Sequence, residues 1–187
     1  MKQRILVIGS QDIGKTTLIN ALLGWDILPQ ATDWDSFPTE ELTEVPWGEN
    51  AILVDSPGYD AGRGLYDARL PDAIGKADAV LVMPGMGSRE ERQKEAAFLK
   101  RLLSGLPEKK LYFVIAYDAD DWPGNRAPLF SARAQALWHF LPLSRRPDRF
   151  FCVDAMAGLV AAIEDDAKHL RTSGIAGLRA ALRKEPL

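Results

Sequence analysis

Short apolar runs and amphipathic stretches alternate along the chain. The apolar runs predict five buried strands, at residues 4–8, 51–55, 79–83, 111–116 and 149–153. Apolar residues at helical spacing predict helices over residues 15–24, 89–103, 127–140 and 174–184, with a further helix near 69–76. Strands that alternate with helices favour a mostly parallel sheet with helices on both faces, which is a three-layer α/β/α fold.

One further strand breaks the parallel pattern. Residues 42–47 form a strand-like run, and only Gly48, Glu49 and Asn50 separate it from the next predicted strand. So short a connection suits an antiparallel hairpin, and Pro46 suits an edge strand because proline has no N–H to donate to a neighbour. The sequence therefore predicts a six-stranded, mostly parallel sheet with one antiparallel edge strand.

Length and composition fit one globular domain that spans residues 1–187. Hydrophobic residues make up 47% of the chain and charged residues 26%, as in ordinary folded domains. The net charge of −3 argues against a nucleic-acid-binding surface. The sequence has no signal-peptide pattern and no run of apolar residues long enough to span a membrane, so we expect a cytoplasmic location.

A glycine-rich segment, "GSQDIGKTT", follows the first predicted strand and fits the pattern G-x-x-x-x-G-K-S/T. Between a strand and an apolar-faced helix, such a loop binds phosphate through its backbone N–H groups and the helix N-terminus. Lys15 supplies a cation for the β and γ oxygens, and Thr16 offers a hydroxyl to Mg²⁺. We expect nucleotide contacts from Gly9, Gln11, Asp12, Ile13, Gly14, Lys15, Thr16 and Thr17.

A second motif, "DSPG", ends the predicted strand 51–55. Asp55, at the tip of a buried strand, can hold a water of the Mg²⁺ shell. The backbone N–H of Gly58 can bond a γ-phosphate oxygen, so it would sense whether that phosphate is present. The phosphate loop predicts a site for a nucleoside triphosphate or diphosphate, and the second motif adds a metal ligand and a γ-phosphate contact to it.

The segments "GSQDIGKTTLINALLG" and "DSPG", together with the strand order, resemble the translation-factor-like class of P-loop GTPases, in the branch of Era-like and dynamin-like proteins. The resemblance covers nearly the whole chain. It implies a Ras-like G domain that binds GTP and GDP and hydrolyses GTP with Mg²⁺ as a nucleotide-dependent switch. It further implies switch I at about residues 25–40 and switch II at about residues 56–68.

In such families a threonine of switch I closes on Mg²⁺ and the γ-phosphate. Thr32, Thr39 and Thr43 are the candidates, and we favour Thr39 because it precedes the edge strand by a few residues. Relatives often have a glutamine after the D-x-x-G motif to orient the attacking water. Tyr59 stands there in this chain, and a phenol cannot both donate to and accept from a water as an amide does.

Era-like and dynamin-like relatives that lack this glutamine use a monovalent cation, held by a polar residue of the phosphate loop. Asp12 occupies that loop position. The resemblance therefore implies K⁺ or Na⁺ near the phosphates, where its charge would stabilise the transition state. The alternative is that Asp12 is a loop carboxylate that faces solvent.

The family's base-recognition motif, N-K-x-D, aligns with Tyr117, Asp118, Ala119 and Asp120. The resemblance implies that Asp120 accepts from the two guanine N–H groups, which would reject adenine. Tyr117 and Asp118 depart from the pattern, so the base would be held differently, for example by stacking on the Tyr117 ring. After the last strand, "VDAMAG" aligns with the family's S-A-K loop, and Ala155 could present its backbone N–H to the guanine oxygen.

Three functional interpretations stay open: a GTP-hydrolysing switch, a nucleotide-gated binding module with little or no hydrolysis, and an ATP-using phosphotransferase of the same fold. In the first, the catalytic parts would be Lys15, Thr39, Gly58 and Asp12, and the metal ligands Thr16, Thr39 and Asp55. The off-pattern Tyr59 and base motif favour the second. A switch implies a protein effector or regulator, and the dynamin-like resemblance implies nucleotide-dependent homodimers.

Overall fold

The computed structural model describes residues 2–25, 28, 41–60, 66, 68–85, 89–117 and 147–184. In these residues six strands form one sheet in the order β2-β3-β1-β4-β5-β6. All neighbouring pairs are parallel except β2 and β3, which form the predicted antiparallel hairpin at the edge. The strands are β1 Gln3–Gly9, β2 Thr43–Trp47, β3 Ala51–Asp55, β4 Ala79–Met83, β5 Leu111–Ala116 and β6 Phe150–Val153. The predicted mixed sheet is confirmed.

The described helices are α1 Lys15–Leu23, α2 Leu70–Lys76, α3 Arg89–Leu102, α4 Ala155–Ile163, α5 Ala167–Thr172 and α6 Ile175–Lys184. Four of them match predicted helices within one residue at each end. The predicted helix 127–140 lies outside the described residues. The helices α4 and α5 were not predicted, and none of the described helices is long and apolar enough to cross a membrane.

Two apolar layers flank the sheet because successive strand residues face opposite sides. Ile5 and Val7 of β1 face the layer that α1, α4 and α6 cover. Leu6 and Ile8 face the opposite layer, covered by α2 and α3. β1 is paired with β3 and β4 and is covered on both faces, so the loop that follows it starts from a rigid base.

The acidic run 164–166 forms a turn between two helices. From the residue types alone, Glu164, Asp165 and Asp166 are predicted to be a solvated helix face; the prediction of a helix is wrong, although Glu164 and Asp165 are exposed. Asp165 has a φ of 57° and breaks the helix, while the Asp166 side chain accepts from the N–H groups of Lys168 and His169 as the N-cap of α5. These bonds lower the pKa of Asp166 to about 2.

Helix α6 holds the far end of α1. The Arg179 guanidinium donates to the carbonyl oxygens of Ala21 and Leu22, at 2.6 and 3.1 Å. These carbonyl groups lie in the last turn of α1, and carbonyl groups in the last turn of a helix have no N–H partner within that helix. A cation at this end also matches the negative end of the helix dipole. Helix α1, whose N-terminus borders the phosphate loop, is therefore fixed at its C-terminus by a distant part of the chain.

Candidate functional site

The carboxyl ends of β1, β3 and β4 meet at one edge of the sheet. Val7 of β1 is paired with Asp55 of β3, and Gly9 is paired with Met83 of β4. Crevices at the carboxyl ends of parallel strands are where α/β folds bind ligands. The two motifs found in the sequence therefore converge at this edge.

Glycines shape the loop between β1 and α1. A Cβ on Gly9 would lie 2.7 Å from the Met83 carbonyl oxygen, so only glycine lets the loop leave the sheet so close to β4. Gly14, the N-cap of α1, has a φ of 87°, which suits glycine. Asp12 also has a left-handed backbone, with a φ of 56°, and its side chain is exposed. The loop therefore has the main-chain shape of an anion-binding turn.

Lys15, the first residue of α1, is 7% exposed. Its Nζ donates to the Ser10 carbonyl oxygen at 2.9 Å, which folds the side chain back over the loop. Burial lowers the pKa of Lys15, and the nearby charges of Asp55 and Asp12 partly offset this effect. A desolvated cation folded back over the loop is suited to bind phosphate oxygens.

Thr16 and Asp55 join the two motifs. The Thr16 hydroxyl donates to Oδ2 of Asp55 at 2.7 Å, and Asp55 is only 2% exposed. A hydroxyl and a carboxylate side by side are oxygen ligands of the kind that Mg²⁺ prefers. The donor set therefore fits Mg²⁺ brought in with nucleotide phosphates.

The second motif packs directly on the phosphate loop. A Cβ on Gly58 would lie 2.7 Å from Cα of Gln11, and no side chain fits there. The next backbone N–H, from Tyr59, donates to the Gly9 carbonyl oxygen at 3.1 Å. The predicted γ-phosphate sensor is thus held in contact with the loop that would carry the phosphate.

Tyr59 points away from solvent. Its side chain is 1% exposed, its hydroxyl donates to Oε1 of Glu95 at 2.9 Å, and its ring centroid lies 5.0 Å from that of Phe98. Burial, followed by the neighbouring Glu95 carboxylate, raises the pKa of Tyr59 well above its usual range. The phenol keeps its proton as a donor within the fold.

Most of predicted switch I, including Thr32 and Thr39, lies outside the described residues. Thr43 lies in β2, opposite Asp55 in the antiparallel pair. Asn20, which is buried in α1, holds Leu28 at the start of predicted switch I by two hydrogen bonds. Its amide donates to the Leu28 carbonyl oxygen at 2.9 Å and accepts from the Leu28 N–H at 3.0 Å.

The base end of the site is described only in part. Asp118, Ala119 and Asp120 lie outside the described residues. Tyr117 is buried, and its backbone N–H donates to the Val153 carbonyl oxygen at 3.0 Å, which ties the ends of β5 and β6 together.

Asp154 explains the change in the loop after β6. Its carboxylate accepts from the N–H of Ala157 at 2.8 Å and so acts as the N-cap of α4. Aspartate and serine are both good N-caps, so this departure from the family's serine keeps the local structure. Ala155 becomes the first residue of α4, where N–H groups have no carbonyl partners within their own helix.

Two buried polar residues near the site were not found from the sequence. Glu95 stands three and four residues before Phe98 and Leu99, on the apolar stripe of an otherwise charged helix. Asn20 stands between apolar residues of α1. A polar residue on an apolar stripe was the signal in both cases, because such a group must be hydrogen-bonded when it is buried.

Comparisons with known proteins agree with this geometry. The family model described as "50S ribosome-binding GTPase" matches residues 4–117, more than half of the chain. A search of curated protein sequences gave no significant match.

Solved structures share the fold at low sequence identity. A crystal structure of a probable GTP-binding protein, engB, has 16% identity and a TM-score of 0.54, over 97% of this chain and 100% of that chain. LeoA, a bacterial dynamin GTPase from ETEC, has 21% identity and a TM-score of 0.64, over 96% of this chain but 35% of that one. A structure from work on the GTPase activity of the chloroplast translocon components atToc33 and psToc159 has 14% identity and a TM-score of 0.57, over 88% of this chain and 82% of that chain.

The chain spans the whole length of the engB match and about a third of LeoA. The family match carries the assignment, while structures at these identities support the fold. The chain thus belongs to the family described as 50S ribosome-binding GTPase, within the translation-factor-like class of P-loop GTPases, and it is a GTP-binding protein of the switch type.

Proposed function

We propose that this chain hydrolyses GTP to GDP and phosphate with Mg²⁺, as a single G domain over residues 1–187. The observation that carries the proposal is the 2.7 Å contact between the Thr16 hydroxyl and the Asp55 carboxylate beside a buried Lys15. It brings together, from separate motifs, the oxygen ligands and the cation that phosphoryl transfer needs.

Each part of the proposed site has a distinct role. The loop amides from Gly9 to Thr17 hold the β-phosphate, and Lys15 neutralises β and γ oxygens. Mg²⁺, when bound by Thr16, Asp55 and Thr39, would neutralise charge on those same oxygens. The Gly58 N–H would bond the γ-phosphate, so that its loss frees switch II at residues 56–68.

Phosphate release tests this function. We expect Mg²⁺-dependent release from GTP by the parent chain and a rate lower by about 100-fold or more for Thr16→Ala. Thr16→Ser keeps the hydroxyl and is the matched control, so its rate should stay within a few-fold of the parent. A Thr16→Ala variant as active as Thr16→Ser would contradict the role of this residue.

Guanine selection is proposed for Tyr117, Asp118, Asp120 and the Ala155 N–H. The test compares the affinities of GTP, ATP and xanthosine triphosphate. Asp120→Asn should lose GTP affinity and gain relative affinity for xanthosine triphosphate, because the amide no longer offers two acceptors to the guanine N–H groups. Equal affinity of the parent for ATP and GTP would favour the ATP-using interpretation.

The buried position of Tyr59 favours a second candidate, a nucleotide-gated binding module with slow turnover. With its hydroxyl bonded to Glu95, Tyr59 stands away from any attacking water. Binding of GTP without measurable phosphate release would select this candidate.

Asp12 is our proposed ligand for K⁺ or Na⁺. Its exposed carboxylate stands on a left-handed residue of the loop, close enough to offset, together with Asp55, part of the lowering of the Lys15 pKa that burial causes. We expect faster turnover in potassium than in lithium salts, and the difference should vanish in Asp12→Ala. Equal rates in both salts would remove the cation from the mechanism.

We also place the chain in the Era-like and dynamin-like branch, which implies dimers that depend on nucleotide. Among the structural neighbours, dimerisation is important for the GTPase activity of atToc33 and psToc159. Light scattering of this chain with GDP and with a slowly hydrolysed GTP analogue is the test. A monomer in both states would contradict the dimer.

A further inference from the structure

The carboxylate of Glu95 gathers hydrogen bonds from three parts of the chain. Oε1 accepts from the Ser10 hydroxyl and from the Tyr59 hydroxyl, each at 2.9 Å. The N–H of Gly85, which follows β4, lies 2.9 Å from both carboxylate oxygens. Glu95 is 6% exposed and therefore depends on these donors for the hydrogen bonds that water would otherwise provide.

Two of these donors, Ser10 and Tyr59, belong to the segments that we propose contact the nucleotide. Ser10 lies in the phosphate loop, and its carbonyl oxygen accepts from Lys15. Tyr59 directly follows the predicted γ-phosphate sensor, Gly58. The hydrogen bond from Tyr59 to Glu95 therefore acts on the sensor, and the hydrogen bond from Ser10 acts on the loop.

The same carboxylate leaves little room around it. A Cβ on Gly85 would lie 3.1 Å from Oγ of Ser10 and 3.4 Å from Oε2 of Glu95. On the other side, the Tyr59 ring packs against Phe98, one turn further along α3. The Tyr59 backbone is also fixed, because its N–H donates a hydrogen bond to the Gly9 carbonyl oxygen. Tyr59 is thus held at both its main chain and its side chain.

We propose that Glu95 is a positioning residue that sets the preference for GTP over GDP. It fixes Tyr59 and Ser10 together, so that the Gly58 N–H stands ready for the γ-phosphate without a loop rearrangement. Only GTP carries that phosphate, so preorganisation of Gly58 favours GTP while leaving the β-phosphate contacts of GDP unchanged. The position where relatives often place a water-orienting glutamine serves here as an anchor.

This inference rests on the proposed γ-phosphate contact of Gly58. The quantity to measure is the ratio of the dissociation constants for GDP and for a slowly hydrolysed GTP analogue, with Mg²⁺ present. We expect Tyr59→Phe to lower the preference for the GTP analogue about 5- to 10-fold, since it removes one hydrogen bond to a carboxylate. GDP affinity should stay within about twofold of the parent.

Glu95→Gln tests the carboxylate itself. The amide keeps one acceptor oxygen but turns a donor toward the Gly85 N–H, so the preference should fall at least as far as in Tyr59→Phe. The matched control is Glu90→Gln, which makes the same change on the exposed face of α3. Glu90 pairs with Lys94 at the surface, where an ion pair contributes little, so this variant should match the parent.

A double variant distinguishes a positioning effect that passes through Glu95 from independent effects of the two substitutions on the fold. If the phenol acts through Glu95, Tyr59→Phe combined with Glu95→Gln should have the ratio of Glu95→Gln alone. Thermal unfolding of each variant identifies any that fails to fold, and Ser10→Ala then tests the network from the phosphate loop with the smallest change in volume.

The outcomes separate the two proposals. A parent that binds neither nucleotide would overturn the proposed function itself. A parent that binds both, with an unchanged or increased GTP preference in Tyr59→Phe and Glu95→Gln, would overturn only the role of Glu95. Additive losses in the double variant would also contradict it, because independent effects cannot pass through one carboxylate.

Discussion

The phosphate end and the base end of this site keep the family's pattern in different ways. At the phosphate end, residues of the two motifs contact one another, as in the bond from Thr16 to Asp55 and the packing of Gly58 on Gln11. At the base end, the side chains of Tyr117 and Asp154 depart from the family's motifs, and the bonds that the structure describes come from backbone groups, as with the N–H of Tyr117 bonded to the Val153 carbonyl oxygen. The family match itself ends at residue 117.

The two ends differ because main-chain atoms bind the phosphate, whereas side-chain atoms act at the base end. Phosphate is bound by main-chain N–H groups, and those positions require glycine, so the motif residues are hard to replace. Capping of α4 needs any short side chain with an acceptor, so Asp154 can stand where relatives have serine. A motif is therefore easiest to recognise where the backbone itself binds the ligand.

Lys15→Ala should have the largest effect on the phosphate end. Loss of a buried ammonium that we propose binds two phosphate groups should weaken GDP and GTP binding about 100-fold or more, which corresponds to about 2.7 kcal/mol. Calorimetry measures the affinities, with Lys76→Ala as the control because Lys76 is exposed and pairs with Asp72. Binding within threefold of the parent would place the phosphate elsewhere.

Gly58→Ala should come next. The added Cβ would meet the Gln11 backbone at 2.7 Å, so switch II or the phosphate loop must shift. We expect about a 10-fold or greater loss of affinity for a GTP analogue, and a smaller loss for GDP, which has no γ-phosphate. Gly75→Ala is the matched control, since a Cβ there meets nothing within 4 Å. Similar behaviour of the two variants would count against the packing of Gly58 on the loop.

At the base end, Asp154→Ala should cost about 1 kcal/mol of unfolding free energy through loss of the N-cap. Asp154→Ser, which restores the family's residue type, should stay within about 0.5 kcal/mol of the parent. Urea unfolding measures both. Equal losses in the two variants would show that the residue acts through something other than its cap, and would weaken the contrast drawn between the two ends.

The smallest effect concerns the pH dependence of stability at Tyr59. Because burial raises the pKa of Tyr59 above its ordinary value of 10.0, the folded chain keeps the phenolic proton at a pH where the unfolded chain releases it. This contribution is complete below pH 10.0 and falls as the pH rises beyond it.

Between about pH 9 and about pH 11, the parent should therefore lose more stability than Tyr59→Phe, which has no proton to lose. Urea unfolding across that range, with Tyr66→Phe as the exposed control, measures the difference. Parallel loss in the parent and in Tyr59→Phe would contradict the burial of the phenol.

The sequence predicted the sheet well because each strand is a short apolar run and because Pro46 marks the edge. It did not predict α4 and α5, since "VDAMAG" was interpreted only as a loop and the acidic residues before α5 as part of a helix. The N-caps of these helices are Asp154 and Asp166. Whether an aspartate caps a helix depends on its backbone dihedral angles, and the residue types alone do not give those angles.

The candidate site, like the fold, was predicted only in part from the sequence. The phosphate-loop residues and Asp55 follow from motif spacing, and the structure brings them together. The role of Glu95 was not predicted because its partners, Ser10 and Tyr59, are 85 and 36 residues away in the chain. Only the parallel crossovers between β1, β3 and β4 bring those segments to one place, and no local pattern records such a contact.

The bond from Arg179 to the end of α1 has a consequence for how the protein is made. Arg179 lies 157 residues after Leu22, so a ribosome that adds about 5–20 residues each second needs about 8–30 seconds to supply it. Until then the first helix leaves the exit tunnel with its last carbonyl groups unmatched. The nascent chain therefore carries the complete phosphate-loop motif well before it has the residue that fixes the far end of α1, and firm nucleotide retention should begin only once Arg179 has been synthesised.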